Sequence, residues 1–282
     1  MRLSPPVTQK MAWAACWAAA FFAIAALLTI IIYVFARGVG EIGWAFLSTD
    51  PIGGLSGQGG IRSAIVGTIY IVVLTLAMAA PLGIGAGIYL AEYAGDNWFT
   101  RIVRWVIETL AGVPSIVFGL FGFALFVIAL NLSFCILAGA LTLACLVLPT
   151  IIRTTEEAIK AVPQGHREGS LALGATKWQT IRHVVLPAAM PGIVTAIILA
   201  IGRSVEETAC LYVTMGGSAN MPITPLDNGR TLSLHLFYLA MNTNAMEKAL
   251  ATGVMLIIII VIINAITRWL SSRWMIRMQG RV

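Results

Sequence analysis

The sequence predicts an all-α membrane protein with six transmembrane helices, and three observations lead there. Of its 282 residues, 59% are hydrophobic and only 11% charged, against roughly 25% charged in an ordinary soluble chain. Apolar runs recur along its length, each near the ~20 residues that cross a ~30 Å hydrocarbon core. Those runs are continuous and do not alternate in polarity, which excludes a β-barrel.

Spans are expected at about 13–36, 62–91, 104–130, 133–152, 188–215 and 249–270. Residues 1–12 then form a cytoplasmic N-terminal segment, and 13–282 a single transmembrane domain. The first run, Met11 to Phe35, follows the basic Lys10 and ends before Arg37. A cleavable signal has an apolar core of only about 7–15 residues, so a retained helix is the better reading. In the second span, Pro81 with Gly83, Gly85 and Gly87 suits a kinked or tilted helix. A very short link near Asn131 makes the third and fourth spans antiparallel.

Basic residues orient the chain. With the N-terminus inside, thirteen of the eighteen Lys and Arg residues fall on the cytoplasmic side and four outside (Arg37, Arg62, Arg230 and Lys248), while Arg203 lies within a span. Both termini are therefore expected in the cytoplasm. The net charge of +6 is topogenic and points to no nucleic-acid partner. Membrane lipid is the partner that composition demands.

Several chemistries are set aside. No G-x-x-x-x-G-K-[ST] segment occurs, so any ATP hydrolysis belongs to another subunit and no cofactor is expected here. Gly54-Leu55-Ser56-Gly57 imitates a protease motif but lies in a polar external loop. His166 and His183 are cytoplasmic and His235 external, so they form no shared metal cluster. Cys16, Cys135, Cys145 and Cys210 lie in apolar surroundings without a CxxC pair. Glu156-Glu157 reads as a solvated helix face. In the external loop 216–248, Leu232 to Leu239 is expected as a short amphipathic helix on the membrane surface.

Two segments carry positive signals. The cytoplasmic loop 153–187 holds Glu168-Gly169-Ser170, then Gly174 after three residues, then Val184-Val185-Leu186-Pro187 after nine more. Small residues let a short helix dock closely in a groove, and a glycine turns the chain away afterwards. Pro187 suits a first helical turn. In the fifth span, Gly202-Arg203-Ser204-Val205-Glu206-Glu207-Thr208 interrupts an apolar helix. Ionisable residues at such depth face a protein interior or a water-filled path. Arg203 and Glu207 share a helical face and can pair. Arg203 stands about 15 residues past Pro187, hence about 22 Å along the axis.

The loop spacing resembles the EAA loop of ABC-importer permeases, Glu-Ala-Ala, three residues, Gly, nine residues, Ile-x-Leu-Pro. Gly169, Ser170 and Val184 are small or apolar departures from it. The resemblance covers roughly 60–270 and narrows to phosphate-importer permeases of the A type. It rests on Pro81 to Gly85, Ile88 to Tyr93 and Ala111 to Gly122. It implies the type I importer transmembrane fold and coupling to an ATPase through Glu168, Gly169, Ser170 and Gly174. In the phosphate permeases the fifth span reads Arg, three residues, Glu-Thr-Ala-Pro. Arg203, Glu207, Thr208 and Ala209 fit that pattern, whereas Glu206 stands for Gly and Cys210 for Pro.

By the same resemblance Arg203, Glu207 and Thr208 line a substrate pathway. Partners would be a second homologous permease, two copies of an ABC ATPase and an external phosphate-binding protein, in the plasma (inner) membrane of a prokaryote. Other oxyanions (tungstate, molybdate, sulfate) remain open as cargo. From other classes, an ATP-independent anion channel or a membrane enzyme would need no ATPase-docking loop.

Overall fold

The computed structural model describes residues 5–52 and 57–279. Gly54, Leu55 and Ser56 of the protease-like tetrad lie outside the described residues. Twelve α-helices follow in order: α1 (Pro5–Gly38), α2 (Trp44–Ser48), α3 (Arg62–Ile88), α4 (Trp98–Ala111), α5 (Ser115–Gly122), α6 (Ile136–Lys160), α7 (Gln164–Ala172), α8 (Lys177–Thr180), α9 (Leu186–Glu206), α10 (Ala209–Thr214), α11 (Leu232–Asn242) and α12 (Met246–Gln279). Wider π-helical turns prolong α3 (Tyr89–Tyr93) and α5 (Phe123–Ala129) and join α8 to α9 (Ile181–Val185). Among the described residues no strand forms. The α7 connection and the α11 connection lie at opposite ends of the bundle, because α9 runs between them.

α3, α6 and α9 form the centre. Ile71 and Val72 of α3, Ile136 and Leu143 of α6, Ile201 and Val205 of α9, and Leu211 beyond it share one buried cluster. Association in lipid relies on close packing, which small residues permit. Gly83 and Gly87 of α3 face Ile151 and Thr155 of α6, and an added Cβ would stand 2.6 and 2.7 Å from those side chains. Gly192 likewise admits Ala158. By contrast, the apolar stretch of α1 buries nothing of itself within the chain and leans on α12 near Gly38. Such a helix belongs in lipid or against another subunit.

Five helical runs are long and apolar enough to cross a membrane, and a sixth exists if α4 and α5 count as one span. That pair bends by 102° at Gly112–Pro114, so the expected straight span 104–130 is broken. Proline disfavours helix in the residue before it and removes a donor. The tilted α4 presents Trp98, Phe99, Ile102 and Trp105 outward, while Arg104 turns toward the core. The loop expected over 153–187 is also shorter, since α6 continues to Lys160 and, after the short α7, the next run long enough to cross a membrane starts at Lys177. Pro187 therefore sits inside a continuous helical run, directly after the π turn. The expected turn near Asn131 is present, with φ of 53° at Asn131 and 61° at Ser133.

Gly87→Leu is expected to destabilise the chain by about 1–3 kcal/mol through overpacking against α6. Gly85→Ala meets only open space. Thermal denaturation of the purified protein in detergent should show a lower midpoint for the first and little change for the second.

Candidate functional site

The polar cluster of the fifth span marks the place where that span stops being helical. α9 ends at Glu206, Glu207 adopts an extended conformation (φ −66°, ψ 128°), and α10 resumes at Ala209. The expected uninterrupted helix through 215 is thus corrected. A break inside the membrane exposes backbone groups that need partners. The carbonyl of Glu207 accepts from the Ser233 hydroxyl at 2.8 Å, and the Glu206 carbonyl accepts from Thr208 Oγ1 at 3.4 Å.

Around this break the charges assemble. Arg203 Nη2 stands 2.7 Å from Glu207 Oε1, and Nη1 stands 3.2 Å from Glu206 Oε1. Glu207 is 4% exposed, whereas the Arg203 side chain is 45% exposed. The Ser115 side chain also lies beside the Glu207 carboxyl. Ser115 opens α5 directly after the Gly112–Pro114 bend. Gly119, one turn on, lets the backbone at Cys210 come within 2.9 Å of where a Cβ would stand. The site is therefore two broken helices meeting, α4/α5 and α9/α10, with a buried carboxylate between them and a half-exposed guanidinium at the edge.

The connection after α10 folds back over this junction. α11 is a helix as expected, but it does not lie on a membrane surface. Leu232, Leu234 and Leu239 are buried, α11 packs mainly on α12, and the Leu232 amide donates to Thr68 Oγ1 at 2.9 Å. Arg230, also buried, donates through Nε and Nη2 to the Gly217 carbonyl (2.9 and 2.6 Å), through Nη1 to His235 Nδ1 at 3.1 Å, and lies 4.2 Å over the Tyr238 ring. Burial, and secondarily the Arg230 charge, push the His235 pKa down to about 3. At the surface of this connection, backbone amides of Thr224 and Ile223 hold the Asp227 carboxyl below its ordinary value.

At the opposite end stands α7. Glu168 and Gly169 are exposed, and Gly169 has no neighbour within 4 Å of an added Cβ. Leu173, just beyond the helix, is 90% exposed. Gly174 adopts φ +83°. With the Gly174 amide on Leu171 O and the Ala175 amide on Ser170 O, it forms a Schellman stop, which requires that left-handed conformation. Ser170 and Thr180 hydroxyls are 2.9 Å apart. Thus Glu168 and Gly169 share an open face, Ser170 holds the next helix, and Gly174 ends α7.

Composition misread one pair. Glu156 is buried, not solvated, and pairs with Arg104 at 2.8 Å and Lys160 at 2.6 Å. Glu157 is exposed and pairs with Arg153 at 3.0 Å. Arg153-Thr154-Thr155-Glu156-Glu157 thereby repeats the pattern Arg-x-x-Glu-Glu found at 203–207, although the two partner sets differ. Sequence reasoning also passed over Ser115, Ser233 and Arg167. Only Ser115 carried a signal, standing after Val113-Pro114, a pair that commonly ends helices.

Acidification should weaken the α11 connection. Between the ordinary value of 6.5 and about 3, the unfolded chain takes up a proton that folded His235 refuses, so its contribution is complete above 6.5 and is lost as pH falls. Thermal melts from pH 7 down to 4.5 should show a smaller acid-induced drop for His235→Asn than for wild type.

Comparison with known proteins gives this geometry a context. Residues 83–276 match the family described as binding-protein-dependent transport system inner membrane component. The chain is 34% identical to the probable ABC transporter permease protein YqgI of Bacillus subtilis, over 94% of this chain and 96% of that one. It is 36% identical to the phosphate transport system permease protein PstA 1 of Mycobacterium tuberculosis, over 89% and 85% of the two chains. Among solved structures, the bacterial alginate ABC transporter in complex with its pentasaccharide-bound periplasmic protein aligns with TM-score 0.69 at 16% identity, covering 98% of this chain and 99% of that one. The inward-facing MetNI methionine ABC transporter aligns at TM-score 0.55 and 21% identity, over 78% and 94%. The chain belongs to the binding-protein-dependent inner-membrane transport components, and is a multi-pass ABC transporter permease subunit rather than an enzyme, sharing its fold with the MetNI transporter chain.

Proposed function

We propose that this chain is the A-type permease of a phosphate importer, contributing half of the translocation pathway. The observation that carries the reading is the junction at Arg203 and Glu207, a discontinuous-helix site of the kind that binds cargo in transporters. Relatives named as phosphate transport permeases, 32–36% identical over most of the chain, support the choice of anion. Arg203 offers a planar fork of donors suited to phosphate oxygens. Its carboxylate partners hold it while the path is empty and limit how tightly an anion binds, as a transit site requires. Thr208 adds a hydroxyl at the same level.

In this reading the α7 end faces the cytoplasm with both termini, in a prokaryotic inner membrane. Glu168 and Gly169 meet one of two ATPase copies, which bind the ATP. A second, homologous permease completes the path, and an external phosphate-binding protein delivers cargo at the α11 end. ATP-driven approach of the ATPases then rocks the spans to open the path outward. Glu206 favours a second cargo reading. More than half exposed and 3.2 Å from Arg203, it adds negative charge where phosphate would pass, and a different oxyanion such as sulfate, molybdate or tungstate would meet that charge otherwise.

Uptake of radiolabelled phosphate by the whole complex in proteoliposomes should depend on ATP and fall by about tenfold or more in Arg203→Gln, with assembly retained. ATP hydrolysis without phosphate uptake in wild type would sink the cargo. Gly169→Trp, which fills open space on α7, should abolish co-purification of the ATPase while leaving the melting temperature of the isolated permease unchanged.

A further inference from the structure

We propose that Arg167 and Glu92 form a polar pin through which displacement of α7 reaches the membrane core. The proposal rests on the reading of α7 as the ATPase-docking helix and goes beyond it, by naming the residues that carry the motion inward. Arg167 Nε and Nη2 both donate to Glu92 Oε1, at 3.0 and 2.8 Å. Its Nη1 donates to Val162 O at 2.7 Å, and Nη2 also to Ile159 O at 2.8 Å. Glu92 sits in the π turn that prolongs α3, and Ile159 and Val162 mark the end of α6. One guanidinium therefore ties the docking helix to two of the three central helices, α3 and α6. Lys177 adds α8 to the same point, donating to the Glu92 carbonyl and standing 4.8 Å over the Tyr93 ring.

Three features distinguish this pair from an ordinary surface bridge. The two side chains are 14% and 9% exposed, whereas Arg153 with Glu157 is 53% and 65% exposed. α7 itself has no buried residue, so it does not rest on the bundle through an apolar face. Between α7 and the bundle opens a cavity of about 570 Å³, lined by Glu92, Lys160, Arg167, Lys177 and Thr180 among others. Force on α7 thus reaches α3 and the end of α6 across a polar gap through the Arg167 hydrogen bonds, beside the chain links at its two ends and its packing on α8 and the π turn, where Ser170 meets Thr180. A partly buried ion pair with its remaining donors satisfied holds its geometry, and removing one partner leaves an unpaired charge. Arg167 and Glu92 are positioning residues and touch no cargo.

The test uses the whole complex in proteoliposomes and a readout that needs no cargo. Leu199→Cys, half exposed on α9 and one turn before Arg203 on the same helical face, is labelled in a Cys16→Ser background with a membrane-impermeant maleimide, with and without ATP plus vanadate. The wild-type background should change its labelling rate on nucleotide trapping. Arg167→Gln should still bind and hydrolyse ATP, but its nucleotide-dependent change should shrink by about fivefold or more, the low end of a coupling between distant sites. Arg167→Lys, keeping the charge and losing the fork, should recover part of it. A full response in an Arg167→Gln complex that hydrolyses ATP overturns the proposal, as does a wild-type response indifferent to nucleotide. Should Arg167→Gln fail to assemble, Glu92→Gln decides in the same assay, since it leaves α7 untouched. A retained response there overturns the pin, and a lost one supports it. If Gly169→Trp leaves the ATPase bound, the docking reading fails, whatever Arg167 does.

Discussion

Inside hydrocarbon every backbone donor and acceptor needs a partner from the protein itself, and this architecture follows from where that demand is met and where it is suspended. Over most of the chain, helices answer it alone. At two places they do not: the Gly112–Pro114 bend and the Glu207–Thr208 break. Both are tolerated because they meet. Ser115 at the start of α5 reaches Glu207, Ser233 from the α11 connection reaches the Glu207 carbonyl, and Gly119 allows the close approach that makes this geometry fit. An irregular backbone buried in protein is the material from which membrane binding sites are built. The polar junction is therefore a structural necessity of the two breaks as much as the proposed place for an anion.

The same demand explains what composition and periodicity made legible and what they did not. Continuous apolar runs revealed the helical class, and the spacing Glu168 to Gly174 revealed α7 together with its glycine stop. Arg203 and Glu207 were legible as a pair because four-residue spacing needs no tertiary information. Where a helix bends or ends within an apolar run is a different matter. Val113-Pro114 is a local signal, but the residues on either side of it, 110–130, are apolar almost throughout, so hydropathy alone ran the span straight through it. Where Glu207 leaves the helix, its carbonyl is met by Ser233, 26 residues on, and its carboxyl lies beside Ser115, 92 residues earlier. Nothing in the local pattern records partners so distant.

Charge told a similar story at the α7 end. Glu156 and Glu157 are adjacent and indistinguishable by composition, yet one is buried against Arg104 and the other is open to solvent. Adjacent positions on a helix point about 100° apart, so a single helix can bury one carboxylate and expose the next. Which one is buried depends on where α4 crosses, and that depends on the bend at Gly112–Pro114. Arg167 was unreadable for a related reason. It stands directly before Glu168 in an exposed, polar helix, and its value lies in a carboxylate 75 residues earlier in the chain.

Taken together, the two polar centres sit at opposite ends of the same helices and obey different rules. The Arg203 cluster is open at its edge and shares one guanidinium between two carboxylates, an arrangement that in the proposed function lets a competing anion enter. The Arg167 cluster shares one largely buried guanidinium among a carboxylate and two helix-end carbonyls, so every arm of the fork already has a partner. An importer needs both kinds. A transit site must release what it binds, while a mechanical link must not yield when it is pushed. α3 and α6 connect them, packed through Gly83 and Gly87 closely enough to move as one body. A close-packed pair of this sort is stiff and shifts as a unit instead of deforming. In the proposed mechanism, a push delivered at Glu92 would therefore arrive at the Arg203 junction as a displacement of that pair against α5 and α10, the short segments beyond the breaks.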